Sequence, residues 1–336
     1  MNIEIVTTPN SALNETGFGS LQACQNVLDS VLKMGHQCLL SSCKSLEDLE
    51  GVLTRKPDLV VIAVKFIPIE NNENVWLSEY FENNNIAYTG SSKNILMYDS
   101  DKVLAKQYLK ENGVPTALFF TAYENEFQSN KELPLEYPLF LKPICAANSN
   151  GVDEHSYVSS FDEFERKVLS LKNNFNQTSL VEEYLDGAEY TVAILTAKNG
   201  ELLISAVEVE PPELNQGRRI LSKDTKYENN EVLKVITDPQ ISYEVRRIAV
   251  EVFTKIGAEG FARIDIKSNK SGKYFFMEIN LVPGMTMGTS YFPEAFRIDQ
   301  GHDYDQTIVN LIDYCLFKTM QKQPLIEQVA MEFSSN

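Results

Sequence analysis

The sequence has little cysteine, little tryptophan and no long apolar run, and each shortage excludes a class of protein. Five cysteines and one tryptophan occur in 336 residues. The cysteines are scattered, odd in number and without the paired spacing of zinc sites, so we expect reduced thiols. The opening MNIEIVTTPN lacks the basic and apolar regions of a signal peptide, and the run LVVIAV is too short to span a bilayer. We therefore expect a cytoplasmic protein without membrane contact.

Basic charge is also in short supply, since the formal net charge is -17. Such an acidic chain is not expected to offer a broad surface for nucleic acid or anionic membrane. A small phosphorylated ligand remains compatible, because a few lysines and metal ions reverse the field inside a cleft. The sequence contains no P-loop pattern and no dinucleotide glycine fingerprint. Its three histidines lie far apart in polar contexts, so no histidine triad or histidine metal cluster is predicted.

The first part of the chain has the pattern of a parallel α/β unit. IEIVTT and DLVVIAV are apolar runs of strand length, and SLQACQNVLDSVLKMGHQC between them has helical periodicity that ends near Gly35. A helix that joins two buried strands favours a parallel pair. We therefore predict an α/β domain over residues 1–95.

The remaining elements are predicted from their start and stop signals. YDSDKVLAKQYLKENGVPT predicts a helix that Asp99 or Ser100 caps and that Gly113 ends. YPLFLKP, SLVEEYL, EYTVAIL and ELLISAVEVE predict strands, and SFDEFERKVLSLK and SYEVRRIAVEVFTKIGAEG predict helices. The polar stretch PPELNQGRRILSKDTKYENN predicts a mobile loop.

A hairpin near the C-terminus carries the strongest chemical signal. GFARIDIK and KYFFMEIN alternate with a period of two around a turn of residues 269–272. If the register pairs Asp265 with Glu278, their Cβ atoms lie about 5 Å apart, and Arg263 and Asn280 form the next pair. Two such close carboxylates repel unless a cation lies between them. Hard oxygen ligands suit Mg²⁺ or Mn²⁺ and disfavour Zn²⁺.

The same hairpin has a simpler interpretation, which the sequence leaves open. Asp265 pairs with Arg263 or Lys267 in a cross-strand salt bridge in that interpretation. The segment PGMT favours the metal site, because Pro283 and Gly284 end the strand abruptly and bring backbone N–H groups near the acids.

Three further segments offer groups that suit a nucleotide, although each is also compatible with a solvated surface. Lys102 lies in the first turn of its predicted helix, and Lys142 ends the strand YPLFLK. The loop that follows, with Ser149 and Gly151, has small residues whose backbone amides can approach phosphate oxygens. LVEEYLDGAEYTV contains three acids, which can accept hydrogen bonds from an adenine amino group and a ribose diol. These acids are Glu182, Glu183 and Glu189.

Taken together and in order, these segments resemble the ATP-grasp superfamily and, within it, the D-alanine–D-alanine ligases. The resemblance runs from about residue 86 to 293 and rests on the stretches YTGSSKNILMYDSDKVLAKQYLKENGVPT, YPLFLKP, VEEYLDGAEYTVAIL, TKY and GFARIDI…FFMEINLVPGMT…SYFP. It implies an α/β fold in which an N-terminal parallel α/β domain precedes two α+β domains that sandwich ATP. The implied divisions are residues 1–95, 96–187 and 188–322, followed by a tail of residues 323–336.

The resemblance also implies roles for matched residues. ATP would contact Lys102, Lys142, Ser149, Glu182, Glu183, Leu185, Glu189 and Lys226. Two Mg²⁺ ions, or Mn²⁺, would be held by Asp265, Glu278 and Asn280. The reacting groups would lie beside Arg263, Tyr227, Gly284 and Ser290, with Arg263 on the oxyanion and Ser290 on the carboxylate of the second substrate. The implied reaction phosphorylates a carboxylate and joins it to an amine, with small-molecule partners and, as in the family, a homodimer.

The chain departs from the family at the site of the first substrate. The D-alanine ligases carry a histidine–glycine pair and a glycine–glutamate–aspartate–glycine run after the strand that matches LVVIAV, where this chain has KFIPIENNENVW. Lys65 and Phe66 stand at the place of the pair. In the family's glutamate–serine–tyrosine set, Tyr227 matches the tyrosine, Asn148 replaces the serine, and Glu15 matches only if a gap is allowed.

These departures favour an ADP-forming carboxylate–amine ligase that joins other amino acids, or an amino acid to a small acid. Three alternatives stay open: a D-alanine–D-alanine ligase of cell-wall synthesis, an ATP-grasp phosphotransferase, and a non-catalytic nucleotide-binding relative. The last would be expected to lose its metal ligands or Arg263, and this chain retains them.

Overall fold

The N-terminal region forms a parallel sheet, as its sequence pattern predicts. The computed structural model describes residues 1–14, 16–69, 74–145, 149–213 and 220–322. Strand β1 lies between β2 and β3 and pairs in parallel with both. A short antiparallel hairpin of β4 and β5 follows. The elements are β1 (Asn2–Thr7), α1 (Ser11–Asn14), α2 (Leu21–Lys33), β2 (Gln37–Ser42), α3 (Leu46–Arg55), β3 (Leu59–Ile62), β4 (Phe66–Pro68), β5 (Asn74–Trp76) and α4 (Leu77–Asn83).

The central region forms a four-stranded antiparallel sheet with the order β6-β9-β7-β8. Helix α7 covers it, and the apolar residues between them, among them Leu141, Phe164 and Val181, form a core that is separate from the rest of the molecule. The elements are α5 (Lys93–Ser100), α6 (Lys102–Glu111), β6 (Phe119–Ala122), β7 (Leu139–Pro143), β8 (Tyr157–Val158), α7 (Phe161–Phe175) and β9 (Ser179–Glu183), with short 3-10 turns at Asn130–Glu132 and Glu154–Ser156.

The C-terminal region forms a five-stranded antiparallel sheet with the order β12-β11-β10-β13-β14. One continuous apolar core joins this sheet to the N-terminal sheet, with Ile5 and Val61 in the same cluster as Ile264 and Phe292. The elements are β10 (Glu189–Thr196), β11 (Leu202–Glu210), α8 (Lys223–Glu228), β12 (Val232–Val235), α9 (Pro239–Ile256), β13 (Phe261–Ser268), β14 (Tyr274–Asn280), α10 (Tyr291–Gln300) and α11 (Tyr304–Lys322).

The hairpin of β13 and β14 has the register that the metal interpretation requires. Asp265 lies opposite Glu278, and Arg263 lies opposite Asn280. Beyond this pair the register shifts by one residue, so that Ile266 lies opposite Phe276. Such a bulge adds one residue to one strand and bends it locally.

Two sequence-based predictions need correction. The segment around residue 100 forms two helices, α5 and α6, and Asp101 caps the second one by accepting hydrogen bonds from the N–H groups of Val103 and Leu104. Asp99 instead bonds to Lys65 and to the N–H of Leu281, so tertiary contacts outcompete the local cap. The stretch predicted as a mobile loop contains the helix α8, capped by Ser222.

The DG turn after β9 connects two different sheets. Strand β9 belongs to the four-stranded sheet and β10 to the five-stranded one. Gly187 donates its N–H to the carbonyl of Ser268 at 3.0 Å, and a Cβ at residue 187 would lie 2.3 Å from the Ser268 hydroxyl. Glycine is therefore required where the chain passes from one sheet to the other. Among the helices that the structure describes, none is both long and apolar enough to cross a membrane.

Candidate active site

A cavity of about 90 Å³ lies where the four-stranded and five-stranded sheets face each other. Strands of both sheets line it, with Lys142 and Glu182 on one side and Asp265 and Glu278 on the other. Because the two sheets have separate cores, the space between them is not filled by apolar side chains. The cavity is lined by all eight residues that the sequence resemblance assigned to ATP, namely Lys102, Lys142, Ser149, Glu182, Glu183, Leu185, Glu189 and Lys226.

The acidic end of the cavity contains two of the three predicted metal ligands, Asp265 and Glu278, whereas Asn280 lines an adjoining cavity. Asp265 is 7 % exposed and accepts a hydrogen bond of 2.7 Å from the Thr191 hydroxyl. The guanidinium of Arg263 contacts the Asp265 carboxylate at 2.9 Å and lies 4.0 Å from Glu278. The ammonium of Lys102 lies 3.7 Å from Glu278. The salt bridge between Arg263 and Asp265 is present, but both residues lie on β13, so it is not a cross-strand pair. Glu278 lies opposite Asp265, as the metal interpretation requires.

The two acids differ in their pKa shifts. Burial raises the pKa of Asp265, and the guanidinium of Arg263 opposes that shift only in part. Burial would also raise the pKa of Glu278, but the positive charges of Lys102 and other neighbouring lysines outweigh it and hold this pKa well below its usual range. Two acids at one site whose pKa values are pushed apart are typical of functional sites. Here the lysines and Arg263 supply the positive charge that stabilises a carboxylate pair.

The donor set fits a hard divalent cation. Within the described residues no cluster of three or more His, Cys, Asp or Glu exists, so the candidate site offers two carboxylates and the amide of Asn280. This is the small oxygen-rich set that Mg²⁺ uses when water and phosphate complete its coordination. The side-chain nitrogen of Asn280 is buried and has no hydrogen-bond partner among the described residues. That orphaned group indicates that the site has polar capacity left for a ligand.

A buried cluster of two lysines and one acid includes two residues that line the cavity, Lys142 and Glu182. The Glu182 carboxylate is 1 % exposed, and its two oxygens lie 2.6 Å from the Lys106 ammonium and 2.8 Å from the Lys142 ammonium. Burial alone would raise the pKa of Glu182, but the two ammonium groups outweigh it and lower the pKa to about 2. The predicted contact of Glu182 with an adenine amino group remains a prediction, and the carboxylate already has two cationic partners.

Lys106 is a site residue that the sequence reasoning missed. It is fully buried, donates to the carbonyl of Phe276 at 3.3 Å and lies over the Phe276 ring. A signal was present, because Lys106 is four residues after Lys102 and therefore lies on the same face of α6. A lysine at a helix position that faces the core is rarely buried without a charged partner, so it indicates a buried ion pair.

The other predicted nucleotide contacts lie along the two strands. Glu189 forms an ion pair of 3.1 Å with Lys267. The carboxylate of Glu183 accepts a hydrogen bond of 2.8 Å from the N–H of Leu118. Leu185 is 4 % exposed and lines the cavity. Lys267 therefore pairs with Glu189, and Asp265 forms its ion pair with Arg263.

Tyr291 is a second residue that sequence reasoning missed, and it connects two predicted site residues. The ammonium of Lys226 lies 5.6 Å from the centre of its ring, and the guanidinium of Arg263 lies 5.5 Å from it. Its hydroxyl donates to Glu231. An aromatic ring is attracted to both cations, so Tyr291 holds them close to the acids. The sequence contained SYFP, but only the fold places this ring between the two side chains.

Gly284 and Ser290 lie together beyond the acidic end. A Cβ at residue 284 would lie 2.8 Å from the Ser290 hydroxyl, so only glycine allows this approach. The Ser290 hydroxyl accepts a hydrogen bond of 2.9 Å from the N–H of Thr286. Three other residues are not placed: Glu15 and Asn148 lie outside the described residues, as does the side chain of Tyr227.

Two facing antiparallel sheets with a lysine- and acid-lined cleft define the ATP-grasp class of fold. The solved D-alanine–D-alanine ligase of Bacillus anthracis in complex with ATP matches with a TM-score of 0.75 and 20% identity, over 96% of this chain and 100% of that chain. The VanG D-Ala:D-Ser ligase of Enterococcus faecalis matches with a TM-score of 0.70 and 21% identity, over 94% of this chain and 99% of that chain. These likenesses show the fold.

The sequence comparisons define the family. The model of the D-ala D-ala ligase C-terminus matches residues 108–313. The D-alanine–D-alanine ligase of Francisella philomiragia is 27% identical over 302 residues, which cover 88% of this chain and 92% of the relative. The D-alanine–D-alanine ligase of Caldicellulosiruptor bescii is 26% identical over 304 residues, which cover 86% of this chain and 80% of the relative. The chain belongs to the D-alanine–D-alanine ligase family and is an ATP-dependent ligase that forms carbon–nitrogen bonds.

Proposed function

We propose that this ligase joins an amino acid to a second amino acid, or an amino acid to a small acid, other than two D-alanines. One observation carries the proposal: the residues matched to ATP line one cavity, whereas the place of the family's histidine–glycine pair holds Lys65, whose ammonium forms a buried ion pair of 2.6 Å with Asp99. A buried charge pair changes both the size and the polarity of the wall that the first substrate meets. The proposal includes a cytoplasmic location and a homodimer.

In the proposed reaction the chain supplies positioning and charge, and no protein nucleophile. A carboxylate oxygen of the acid attacks the γ-phosphorus of ATP, the bond to the β,γ-bridging oxygen breaks, and ADP leaves. The amine then attacks the acyl carbon, loses a proton and expels inorganic phosphate, so that an amide remains. Holding two small substrates in line supplies about 7–11 kcal/mol of the barrier reduction.

Each group of residues has a separate role in this proposal. Lys102 and Lys142 contact phosphate oxygens, Lys226 contacts the transferred phosphate, and Glu189 holds the ribose. The Asp265, Glu278 and Asn280 side chains would hold two Mg²⁺ ions, which neutralise charge on the phosphoryl oxygens when bound. Arg263 and the N–H of Gly284 meet the oxyanion of the tetrahedral intermediate. Tyr227 and Ser290 complete the substrate side, with Ser290 at the carboxylate of the second substrate.

The same proposal divides the chain. Residues 96–187 and 188–322 form the two halves that enclose ATP, with the boundary at the turn after β9 where the chain changes sheet. Residues 1–95 form the N-terminal domain that supplies Lys65. Its sheet shares a core with the C-terminal half, so we expect these two parts to move together when the nucleotide cleft opens.

A substrate panel tests the function. The protein is incubated with ATP, Mg²⁺ and single or paired amino acids of both chiralities, and ADP release and product mass are measured together. We expect ADP and an amide product with a pair other than two D-alanines. Turnover with D-alanine alone would instead establish the D-alanine–D-alanine ligase activity that the names of the curated relatives carry. ADP accompanied by a phosphorylated acid and no amide would establish a phosphotransferase.

A further inference from the structure

A second cavity adjoins the nucleotide cavity on the side of the N-terminal domain. It has a volume of about 140 Å³, and its lining includes Thr16, Lys65, Asp99, Cys145 and Asn280. The two cavities share Lys102 and Glu278 in their walls. A cavity of this size has room for several water molecules and therefore for a small organic acid. A molecule in it would reach the place where phosphate and metal ions are expected.

The ion pair of Lys65 and Asp99 forms one wall of this second cavity. Both side chains are almost fully buried, with 6 % and 7 % of their surface exposed. Lys65 follows strand β3 at the carboxyl end of the parallel sheet, the edge at which open α/β sheets bind ligands. Asp99 comes from α5 and also accepts a hydrogen bond of 2.7 Å from the N–H of Leu281. The pair therefore ties the N-terminal domain to the end of the metal-binding strand.

In this wall both carboxylate oxygens of Asp99 have partners, whereas Lys65 has fewer acceptors among the described residues than it has N–H groups. One carboxylate oxygen of Asp99 contacts Lys65 and the other accepts from Leu281. An ammonium has three N–H groups, and within the described residues Asp99 is the one acceptor of Lys65. Buried donors are nearly always satisfied, so the Lys65 N–H groups that lack an acceptor among the described residues favour an oxygen-bearing ligand in this cavity.

The ion pair with Asp99 fixes the position of Lys65 in this wall. Arg263, the proposed oxyanion residue, lies opposite Asn280 in the hairpin and contacts Asp265. Asp99 holds Lys65 beside Leu281, one residue beyond Asn280. The reacting carboxylate belongs at the shared wall of the two cavities, and the remainder of the acid extends toward Lys65.

We propose that the second cavity binds the acid substrate of the ligase and that Lys65 donates to an oxygen atom of its side chain. The chemical class is therefore a small acid or amino acid that carries a second oxygen-bearing group, such as a carboxylate, amide or hydroxyl. This inference rests on the proposed ligase function. It adds a specificity residue, because beside an apolar side chain the buried ammonium would keep Asp99 as its one acceptor among the described residues.

Pairs of acids that are nearly equal in size but differ in polarity test the inference. Threonine is compared with valine, and asparagine and aspartate with leucine, in both chiralities, with ATP, Mg²⁺ and a fixed panel of amines. We expect kcat/KM for ADP release to be higher for the polar member by about tenfold or more, the ratio that one charge-assisted hydrogen bond provides. Product mass identifies which acid has entered the amide.

A double variant assigns the preference to Lys65. Removing the lysine alone would leave a buried carboxylate unpaired, so Lys65→Met is combined with Asp99→Asn, which keeps an acceptor for the N–H of Leu281. We expect the polar-to-apolar ratio to fall by about tenfold while KM for ATP stays within about threefold. The control Lys93→Met with Glu79→Gln removes a more exposed ion pair, which joins α5 to α4. It should keep the wild-type polar-to-apolar ratio.

The outcomes separate this inference from the function on which it rests. If amide forms but valine and leucine are preferred, or if the double variant lowers both members of each pair equally, the Lys65 subsite is overturned and the ligase stands. An equal loss is also the result expected if Lys65 contacts phosphate. If no acid gives an amide with any amine, the proposed function fails and the subsite fails with it.

Discussion

The two cavities that meet at Lys102 and Glu278 differ in how much of the family pattern they retain. The nucleotide cavity is lined by every residue that the family resemblance assigned to ATP. In the second cavity Lys65, which pairs with Asp99, stands at the place of the family's histidine. The chemistry of phosphoryl transfer is the same for every acid, so its residues cannot vary freely. The wall that contacts only the acid can change without loss of that chemistry, and this is where a new specificity would arise.

The largest effect should come from Glu278, which lines both cavities. Glu278→Gln removes a carboxylate from the proposed metal site and the partner of Lys102, so we expect ADP release to fall by about a thousandfold or more with every acid. Steady-state ADP release measures the loss, and circular dichroism checks the fold. Glu79→Gln, which changes an exposed acid, is the matched control. Turnover within tenfold of the wild type would refute the metal assignment of Glu278.

The next effect should be confined to the nucleotide side. Lys106→Met removes a fully buried ammonium that lies 2.6 Å from Glu182 and leaves Lys142 as the one remaining cationic partner of that carboxylate. We expect the free energy of unfolding to fall by about 3 kcal/mol and KM for ATP to rise, with no change in the preference between polar and apolar acids. Chemical denaturation and ATP titration measure the two effects. A changed acid preference would show that the two cavities are not independent.

A pH dependence should accompany the same cluster. The pKa of Glu182 is lowered from 4.5 to about 2 in the folded protein. Its stabilising contribution is therefore complete above pH 4.5 and is lost as the pH falls toward about 2, where the carboxylate becomes protonated in the folded state as well. We expect Glu182→Gln to have a free energy of unfolding that falls less steeply than the wild type between pH 4.5 and 2. Equal slopes in this window would contradict the charge pairing.

The smallest effect should come from Tyr291, which lies next to both Lys226 and Arg263. Tyr291→Phe keeps the ring and loses the hydrogen bond to Glu231, so we expect kcat to fall only about threefold. Tyr291→Ala also removes the ring that attracts the two cations and should lower kcat by about tenfold or more. Equal losses in the two variants would assign the role to the hydroxyl and not to the ring.

Local patterns predicted much of this arrangement. The period of two in FARIDIK and in KYFFMEIN predicted the two strands of the hairpin, because side-chain direction along a strand depends only on alternation, and the structure has the pairing of Asp265 with Glu278 that the metal interpretation required. The family resemblance indicated which residues would contact the nucleotide, and the fold brings them to one cavity. The helix that begins at Lys102 was predicted in type but not in its cap, because Asp99 and Asp101 are both competent caps in sequence and differ only in their distant partners.

Periodicity and motifs within short segments were enough to predict the strands, the main helices, the hairpin and the family pattern of the nucleotide side. Only the tertiary structure decided that Lys65 meets Asp99, that Lys106 lies beneath Glu182, and that Tyr291 lies beside Lys226 and Arg263. Each of these contacts joins residues from different elements, and Lys106 and Glu182 are 76 residues apart. Buried charges select partners by three-dimensional proximity, because an unpaired charge in the interior is too costly to keep, and no local pattern encodes that choice.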